Sequence, residues 1–258
     1  MSAAENSLEK ALRLAATDPA SRPDFYSLLL QSTVFVFGSS GRGVEGPQTI
    51  AAGQDIEIAN WTMDDGRPVI PFFTSLPALQ RALTNEGNYL SLPARDFFEI
   101  TKGATLFLNP TLDHGKEFLP EEIASLLTDG VNRPPLQRVI QQETTVMLGQ
   151  PKVLPEELIA SLQKLFATRA QVSAAYLCLM HDPSHDEKPH HLLGILADSD
   201  YERIVREAGV VVNDTALEPC DIMQSVPGSS GPSSFFLKDC KPFYQRGLGT
   251  KLRSLFRS

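Results

Sequence analysis

Residues 172–196 read VSAAYLCLMHDPSHDEKPHHLLGIL and carry the clearest structural signal of the chain. Two apolar runs enclose a polar segment that is punctuated by Pro183 and Pro189. Short apolar runs bounded by prolines and charged residues are typical of buried β-strands joined by an exposed loop. The pattern therefore predicts a β-hairpin with strands over residues 172–181 and 190–196.

Helix patterns lie on both sides of this hairpin. Residues 155–168 begin with Pro155 and two glutamates, and proline and acidic side chains both favour the first turn of a helix. Residues 199–208 show a second helical pattern. The hairpin is therefore expected to pack against two helices.

Strands are predicted over residues 144–148 and near 210–212, so that the order of elements becomes βαββαβ. This is the order of a ferredoxin-like split βαβ unit. Further extended segments are predicted over residues 220–225 and 233–237.

The first half of the chain shows its own alternation of helices and strands. Asn6 and Glu9 form a capping-box pattern that starts a helix, and TVFVFG (residues 33–38) has the β-branched and aromatic content of a strand. The other predicted elements are helices over 24–30, 75–83, 93–101 and 119–128, and strands over 54–61, 69–74, 90–92 and 104–108.

The polar segment 129–143, which contains Pro134-Pro135, is the predicted linker between the two halves. We expect the α+β (mixed α/β) class, with two small mixed-sheet domains over residues 1–128 and 144–258. The second domain is expected to be βαββαβ-like. A length of 258 residues agrees with one or two domains.

The charge balance limits the classes of partner. The chain has 23 basic and 31 acidic residues, a net charge of −8 at pH 7. Six basic residues and one acid lie within residues 238–258, so this end carries +5 and the preceding part −13. An acidic body repels phosphate backbones, so we expect it to bind no nucleic acid.

Targeting and cysteine signals are sparse. Cys178, Cys220 and Cys240 form no CxxC pair and no disulfide framework. The N-terminus lacks the basic start and apolar run of a secretory signal, and no apolar stretch reaches the roughly 18 residues of a membrane span. These features predict a cytoplasmic protein with reduced thiols.

Four of the five histidines fall between residues 181 and 191. His181, Asp182, His185 and His190 combine imidazole and carboxylate groups, which are preferred ligands of zinc and nickel. The opposing interpretation is a solvated hairpin loop, because adjacent residues of a strand point to opposite faces. The cluster is therefore a candidate metal site that competes with a simple loop.

Other catalytic signals are missing. No GxSxG elbow occurs, and the glycine-rich segment around Arg42 lacks the GxxxxGK[ST] pattern of a phosphate-binding loop. Cys178 lies within an apolar strand pattern, where a thiol usually serves packing. We expect no cofactor and no catalytic residues, and the prediction on enzymatic activity leans towards none.

The C-terminal end has an amphipathic pattern. Apolar side chains over residues 248–258 fall at helical spacing, with basic residues between them. Such a segment can contact a membrane surface, an acidic partner or the protein's own acidic body. Docking on the body, or fraying, is favoured because so short a helix is marginal in isolation.

Several segments resemble a known family, namely residues 71–75 (PFFTS), 149–151 (GQP), 172–177 (VSAAYL) and 191–195 (HLLGI). The chain resembles the SseB-like bacterial proteins, named for enhanced serine sensitivity, with N-terminal and C-terminal SseB domains. The resemblance covers nearly the whole chain and agrees with a linker near residues 130–143. It implies a bacterial cytoplasmic protein without an established catalytic residue set.

The leading hypothesis is a non-enzymatic protein that binds a protein partner with a basic surface, in a regulatory, secretion-associated or toxin-neutralising (immunity-type) role. Candidate contact residues are Arg42, Trp61, Asp64 and Asp65, although packing in the core is the slightly favoured interpretation for Trp61. The alternatives are a metal-dependent enzyme or metal sensor that uses the histidine cluster, and membrane-surface contact through residues 248–258.

Overall fold

A computed structural model describes residues 5–39, 56–83, 87–133, 145–184 and 186–247. The chain divides into two compact units, Met1–Asn132 and Arg133–Ser258, which we call unit 1 and unit 2. Each has helices and a mixed sheet of its own, as expected for the predicted α+β class. The predicted boundaries, 1–128 and 144–258 with a linker over 129–143, remain a prediction, and residues 134–144 lie outside the described residues.

Unit 1 begins with a helix that the sequence specifies locally. The Asn6 side chain accepts from the Glu9 backbone N–H at 2.8 Å, and the Glu9 carboxylate accepts from the Asn6 N–H at 2.9 Å. This reciprocal capping box satisfies two backbone donors at the helix start. The helices of unit 1 are α1 (Ser7–Thr17), α2 (Arg22–Gln31), α3 (Leu76–Arg81), α4 (Ala94–Ile100) and α5 (Pro120–Asp129), with a 3-10 turn over Pro19–Ser21.

The sheet of unit 1 has a central antiparallel pair flanked by shorter strands. Its strands are β1 (Thr33–Ser39), β2 (Glu57–Ile58), β3 (Trp61–Thr62), β4 (Pro68–Phe73), β5 (Tyr89–Pro93), β6 (Leu106–Leu108) and β7 (Lys116–Phe118). The path runs β2-β1-β4-β6-β7, while β5 also pairs with β1 and β3 with β4. The single strand predicted over residues 54–61 is wrong in detail, because β2 and β3 are separate and pair with different neighbours.

Aromatic rings fill the core of unit 1. Phe72 on β4 has ring centroids of Phe97, Phe98 and Phe118 at 5.3, 5.8 and 5.9 Å, and all four side chains are fully buried. Burying a side chain of this size contributes about 1.5–3 kcal/mol. This cluster fixes α4 against the centre of the sheet.

Unit 2 contains the predicted hairpin, β9 (Val172–His181) and β10 (His190–Ala197), with eight paired positions. The remaining elements are β8 (Met147–Gly149), α6 (Glu156–Ala167), α7 (Tyr201–Thr215), β11 (Cys220–Gln224), α8 (Pro232–Asp239) and β12 (Tyr244–Gln245). The sheet follows the order β11-β10-β9-β12, and β8 also pairs with β9. The element order is βαββαβ followed by α8 and β12, and β10 and β11 are parallel and adjacent rather than split by another strand.

Two local predictions in unit 2 are wrong. Residues 210–212 lie inside α7, not in a strand, and residues 233–237 form most of α8. The three valines of the first segment are almost completely buried, which outweighs the small helix penalty of β-branched residues. The last strand of the βαββαβ order is therefore β11.

Candidate functional site

The candidate contact surface of unit 1 centres on the turn between β3 and β4. The Gly66 N–H donates to the Met63 carbonyl at 2.8 Å, and the Met63 N–H donates to the Arg67 carbonyl at 2.9 Å. Gly66 has a φ of +82°, a conformation that glycine adopts without strain. The turn holds Asp64 and Asp65 exposed at its tip.

The two aspartates differ in their electrostatic surroundings. The Arg67 guanidinium donates to Asp65 at 2.7 Å and to Glu117 on β7 at 2.6 Å. The hydrogen bonds from the Arg67 side chain and backbone hold the pKa of the Asp65 carboxyl below its usual range. Arg67 thus offsets part of the charge of Asp65, while Asp64 adds an exposed carboxylate beside it.

Trp61 lies at the border between core and surface. Its ring stacks on Phe37 with a centroid distance of 5.8 Å and an interplanar angle of 21°, and meets Phe73 edge-on at 6.3 Å. The indole is half-buried against the cluster of Phe37, Phe73, Ala78 and Leu79. The structure therefore places one side of Trp61 on the core and leaves part of it at the surface near the acidic turn.

The net charge of the chain is concentrated in one unit. Residues 1–132 contain 17 acidic and nine basic residues, which gives −8, whereas residues 133–258 contain 14 of each, which gives zero. Charge of one sign on one unit creates a field that attracts oppositely charged molecules. Unit 1 is therefore the acidic unit.

A shallow groove of about 300 Å³ lies beside β2 and β4 on unit 1. Its lining combines apolar and polar side chains: Ile56, Ile58, Asn60, Ile70, Ile100, Thr101, Lys102 and Ala104. Lys102 pairs with Glu99 at 2.5 Å. The one ionisable side chain of this lining is thus held in an exposed ion pair, which does not suggest a general acid or base.

The hairpin of unit 2 brings one predicted metal ligand into a buried polar contact. His190 is 7% exposed, and its Nε2 lies 3.0 Å from an Asp221 oxygen on β11, while its Nδ1 lies 3.4 Å from an Asp186 oxygen. The same Asp186 oxygen accepts from the Asp182 backbone N–H at 2.8 Å. These contacts tie the loop between β9 and β10 to the neighbouring strand.

The sheet separates the remaining predicted ligands. His190 pairs with Met180, so His181, the next residue on β9, points to the opposite face of the sheet. Asp182 is buried and accepts from the Ser184 N–H at 2.9 Å. His185 lies outside the described residues.

Among the residues that the structure describes, no group of three or more histidine, cysteine, aspartate or glutamate side chains has the arrangement of a metal site. The described part of the cluster thus shows a histidine between carboxylates on one face and a second histidine on the other. It gives no support to the hypothesis of a metal-dependent enzyme or sensor.

The thiols are poorly suited to nucleophilic chemistry. Burial raises the pKa of Cys178 to about 12, and burial followed by the nearby Asp221 carboxylate raises the pKa of Cys220 to about 12. Burial and Asp239 also raise the pKa of Cys240. A thiol must ionise to attack, so these surroundings keep the sulfur atoms inert near neutral pH.

Sequence reasoning missed the long-range polar contacts inside unit 1. In unit 1, Glu9 Oε1 accepts from Ser75 Oγ at 2.8 Å and Thr74 Oγ1 at 3.1 Å, and the Thr74 N–H donates to Asn109 Oδ1 at 3.1 Å. Asn109 has a φ of +50°, in the left-handed region. The proline that follows it is the one feature of the local sequence that marks this position. Contacts between residues 35 to 66 positions apart have no signature in a local pattern.

Arg42 and the glycine-rich segment around it lie outside the described residues, as do residues 248–258 of the basic end. Their predicted contacts therefore remain predictions. Among the described residues, no helix combines the length and the apolar character needed to cross a bilayer.

Fold and surface define a two-domain α+β protein in which an acidic unit is followed by a neutral one. Family models agree with this division: the SseB protein N-terminal domain matches residues 8–125, and the SseB protein C-terminal domain matches residues 140–246. The chain therefore belongs to the SseB family, as the sequence segments indicated.

Two curated relatives are similar over nearly their whole length. Protein SseB of Escherichia coli (strain K12) and Protein SseB of Shigella flexneri are each 39% identical over 255 residues, which cover 98% of this chain and 97% of the relative. Both relatives are bacterial. No solved structure matches the chain significantly.

Proposed function

We propose that this SseB-family protein is a non-enzymatic, cytoplasmic protein that binds a protein partner through its acidic unit, in a regulatory, secretion-associated or toxin-neutralising role. The observation that carries the proposal is the charge distribution, −8 on unit 1 and zero on unit 2. Complementary charge accelerates encounter and selects partners of the opposite sign. The partner is therefore a protein with a basic surface.

The turn between β3 and β4 supports this surface as the contact. It presents Asp64 and Asp65 beside the partly exposed ring of Trp61. Aromatic residues are enriched at the energetic centres of interfaces, and surrounding charges steer the approach. Arg67 restrains the turn through its contacts with Asp65 and Glu117, so little conformational entropy is lost on binding.

The chemistry of the titratable groups supports a role in binding rather than catalysis. The thiol pKa values are raised, and the His190 ring is occupied by carboxylates on two elements. A catalytic nucleophile needs a lowered pKa or an adjacent base.

The test uses the full chain as bait in native lysate, at low salt and at high salt. We expect a stoichiometric partner with a basic surface at low salt, and weaker recovery at high salt, because the Debye length falls from about 10 Å at 0.1 M to about 3 Å at 1 M. Recovery of no stoichiometric partner at either salt concentration contradicts the proposal.

Matched charge variants then locate the contact with the purified partner. Asp64→Lys is expected to slow association severalfold, whereas Glu187→Lys, which reverses an exposed acid in a loop of unit 2, is expected to leave the rate close to that of the wild type. If the two variants slow association equally, the assignment to unit 1 is contradicted, because the rate would then depend only on the net charge of the whole chain.

A further inference from the structure

β11 is a sheet edge whose outer side no other described strand covers. It pairs in parallel with β10 alone, from His191 opposite Cys220 to Ile195 opposite Gln224. Open edges present unpaired N–H and C=O groups, which proteins ordinarily protect with lysine, proline or a bulge. The sequence CDIMQ of β11 contains no lysine and no proline, and its one charged side chain, Asp221, lies 3.0 Å from His190 Nε2.

The register identifies which backbone groups point outwards. The His191 N–H donates to the Pro219 carbonyl at 3.1 Å, and the Ser225 N–H donates to the Ile195 carbonyl at 2.9 Å. In a parallel ladder, alternate residues direct both backbone groups to the same neighbour, so the odd-numbered residues of β11 face β10. Cys220, Ile222 and Gln224 therefore direct their N–H and C=O groups to the open side, where the Gln224 carbonyl also accepts from Ser233 Oγ.

We propose that β11 pairs antiparallel with β11 of a second copy of this chain, so that two units 2 form one continuous sheet. A two-fold axis at Ile222 places Ile222 opposite itself and Cys220 opposite Gln224 of the second copy. This register joins all three outward-facing residues of each strand and forms about four main-chain hydrogen bonds, not counting the two Gln224 carbonyls, which already accept from Ser233 Oγ. Any other antiparallel register that keeps the outward-facing residues opposite one another shifts the strands by at least two residues and loses at least one of these pairs.

Side chains at both ends of the edge fit this register. Leu217 is 98% exposed and Val226 is 41% exposed, so large apolar side chains stand in water immediately before and after β11. In the two-fold register, Leu217 comes alongside Val226 and Pro227 of the second copy. Because the pairing is two-fold symmetric, each end of the paired strands brings Leu217 of one copy next to Val226 of the other.

Charge also favours a second copy of unit 2. This unit carries no net charge, and the one acid of β11, Asp221, lies opposite Met223 of the second copy rather than opposite another acid. The comparable edge of unit 1 differs: β5 has Pro93 at an outward position, where it lacks an N–H, and unit 1 carries −8. The proposal does not rest on the binding function of unit 1.

The test is the solution mass of the full chain, measured by light scattering and sedimentation. We expect twice the mass of one chain for the wild type. Ile222→Pro removes an outward N–H while keeping the bonds to β10, and Leu217→Glu places a charge where the second copy packs. Each is expected to raise the dimer Kd by at least about tenfold, with an unchanged far-UV CD spectrum.

Val153→Glu is the matched control, because Val153 is 78% exposed and lies before α6 rather than beside β11. It is expected to leave the dimer intact. A monomeric wild type at its highest soluble concentration overturns the proposal and shows that the edge is covered from within the chain or unused. A dimer that survives both edge variants, or that Val153→Glu disrupts equally, overturns it too.

Cysteine cross-linking tests the register independently of stability. In a Cys220→Ser background, Ile222→Cys is expected to form a disulfide-linked dimer on mild oxidation, because paired positions lie about 5.5 Å apart between Cα atoms, within disulfide reach. Gln224→Cys in the same background places its two thiols four residues out of register and is expected to remain unlinked. The reverse result excludes a two-fold axis at Ile222.

Discussion

A methyl group added at Gly194 is expected to destabilise unit 2 strongly. A Cβ built on this residue of β10 would lie 2.5 and 2.6 Å from two ring carbons of Phe236 and 2.7 Å from Ser225 Oγ. Non-bonded carbon atoms prefer separations of about 3.5–4.0 Å, so each contact is about 1 Å too short. The Phe236 ring of α8 thus packs directly on the backbone of Gly194.

The neighbours differ in their ability to move. Ser225 Oγ is buried and has no hydrogen-bond partner among the described residues, so it can rotate without losing a bond to them. Phe236 is fully buried and lies 5.8 Å from the Tyr176 ring between centroids, so it can yield only if α8 shifts. Overpacking of this kind costs about 1–3 kcal/mol, and we expect Gly194→Ala to lower the free energy of unfolding by about 2–3 kcal/mol.

The assay is urea unfolding followed by far-UV CD, with Trp61 fluorescence as a separate probe of unit 1. Gly149→Ala is the control, since a Cβ on that strand residue meets nothing within 4 Å. Phe236→Leu in the Gly194→Ala background is expected to recover at least about 0.5 kcal/mol relative to additivity. A loss no larger than that of the control, or strict additivity of the two substitutions, refutes the reasoning.

Three further perturbations test the buried polar groups. Asn109→Ala is expected to lower the free energy of unfolding of unit 1 by about 2 kcal/mol, measured by Trp61 fluorescence. Asn109→Gly is expected to cost less, because glycine adopts the positive φ of this position without strain. Equal losses for the two variants would contradict a contribution from the backbone conformation. Burial raises the pKa of Glu122, but Lys116 at 3.2 Å, the Asn132 amide and the Leu119 N–H together hold it below the ordinary value of 4.5. The ionised Glu122 therefore stabilises the folded state above pH 4.5, and this contribution is lost as the pH falls through the pKa of the folded state. Glu122→Gln should lower the free energy of unfolding at pH 7 and weaken its decrease at acid pH. A dependence of stability on pH that is the same in wild type and variant would contradict the pairing. Cys178 and Cys220, with pKa values of about 12, are expected to react with a thiol reagent at pH 8 only after denaturation, and rapid labelling of the native protein would contradict their burial.

Local sequence patterns predicted much of the fold. The capping box of α1, the side-chain cap of Ser75 on α3 and the proline at the start of α5 are all encoded within a few neighbouring residues. The apolar runs of β9 and β10 likewise identified the central hairpin. These features are readable because the interactions that cause them span fewer than about five residues.

The errors occurred where packing overrode local preference. The valines of α7 favour a strand by propensity, yet their burial stabilises the helix by more than the few tenths of a kcal/mol that propensity costs. α8 was missed although Gly231-Pro232 is a helix-start signal, because the following Ser233–Leu237 has no clear helical stripe. β7, with three residues, is too short for any periodicity.

The sequence alone predicted the α+β class, most of the helix starts, the β9–β10 hairpin and a total charge of −8. Only the tertiary structure decided that His190 meets Asp221, 31 residues away, that His181 points to the other face, and that β11 forms an edge of its sheet. Helix caps and strand patterns arise between chain neighbours, whereas sheet order and side-chain clusters arise between segments brought together by burial. A sequence read locally therefore shows which groups a chain possesses, and the fold decides which of them can act together.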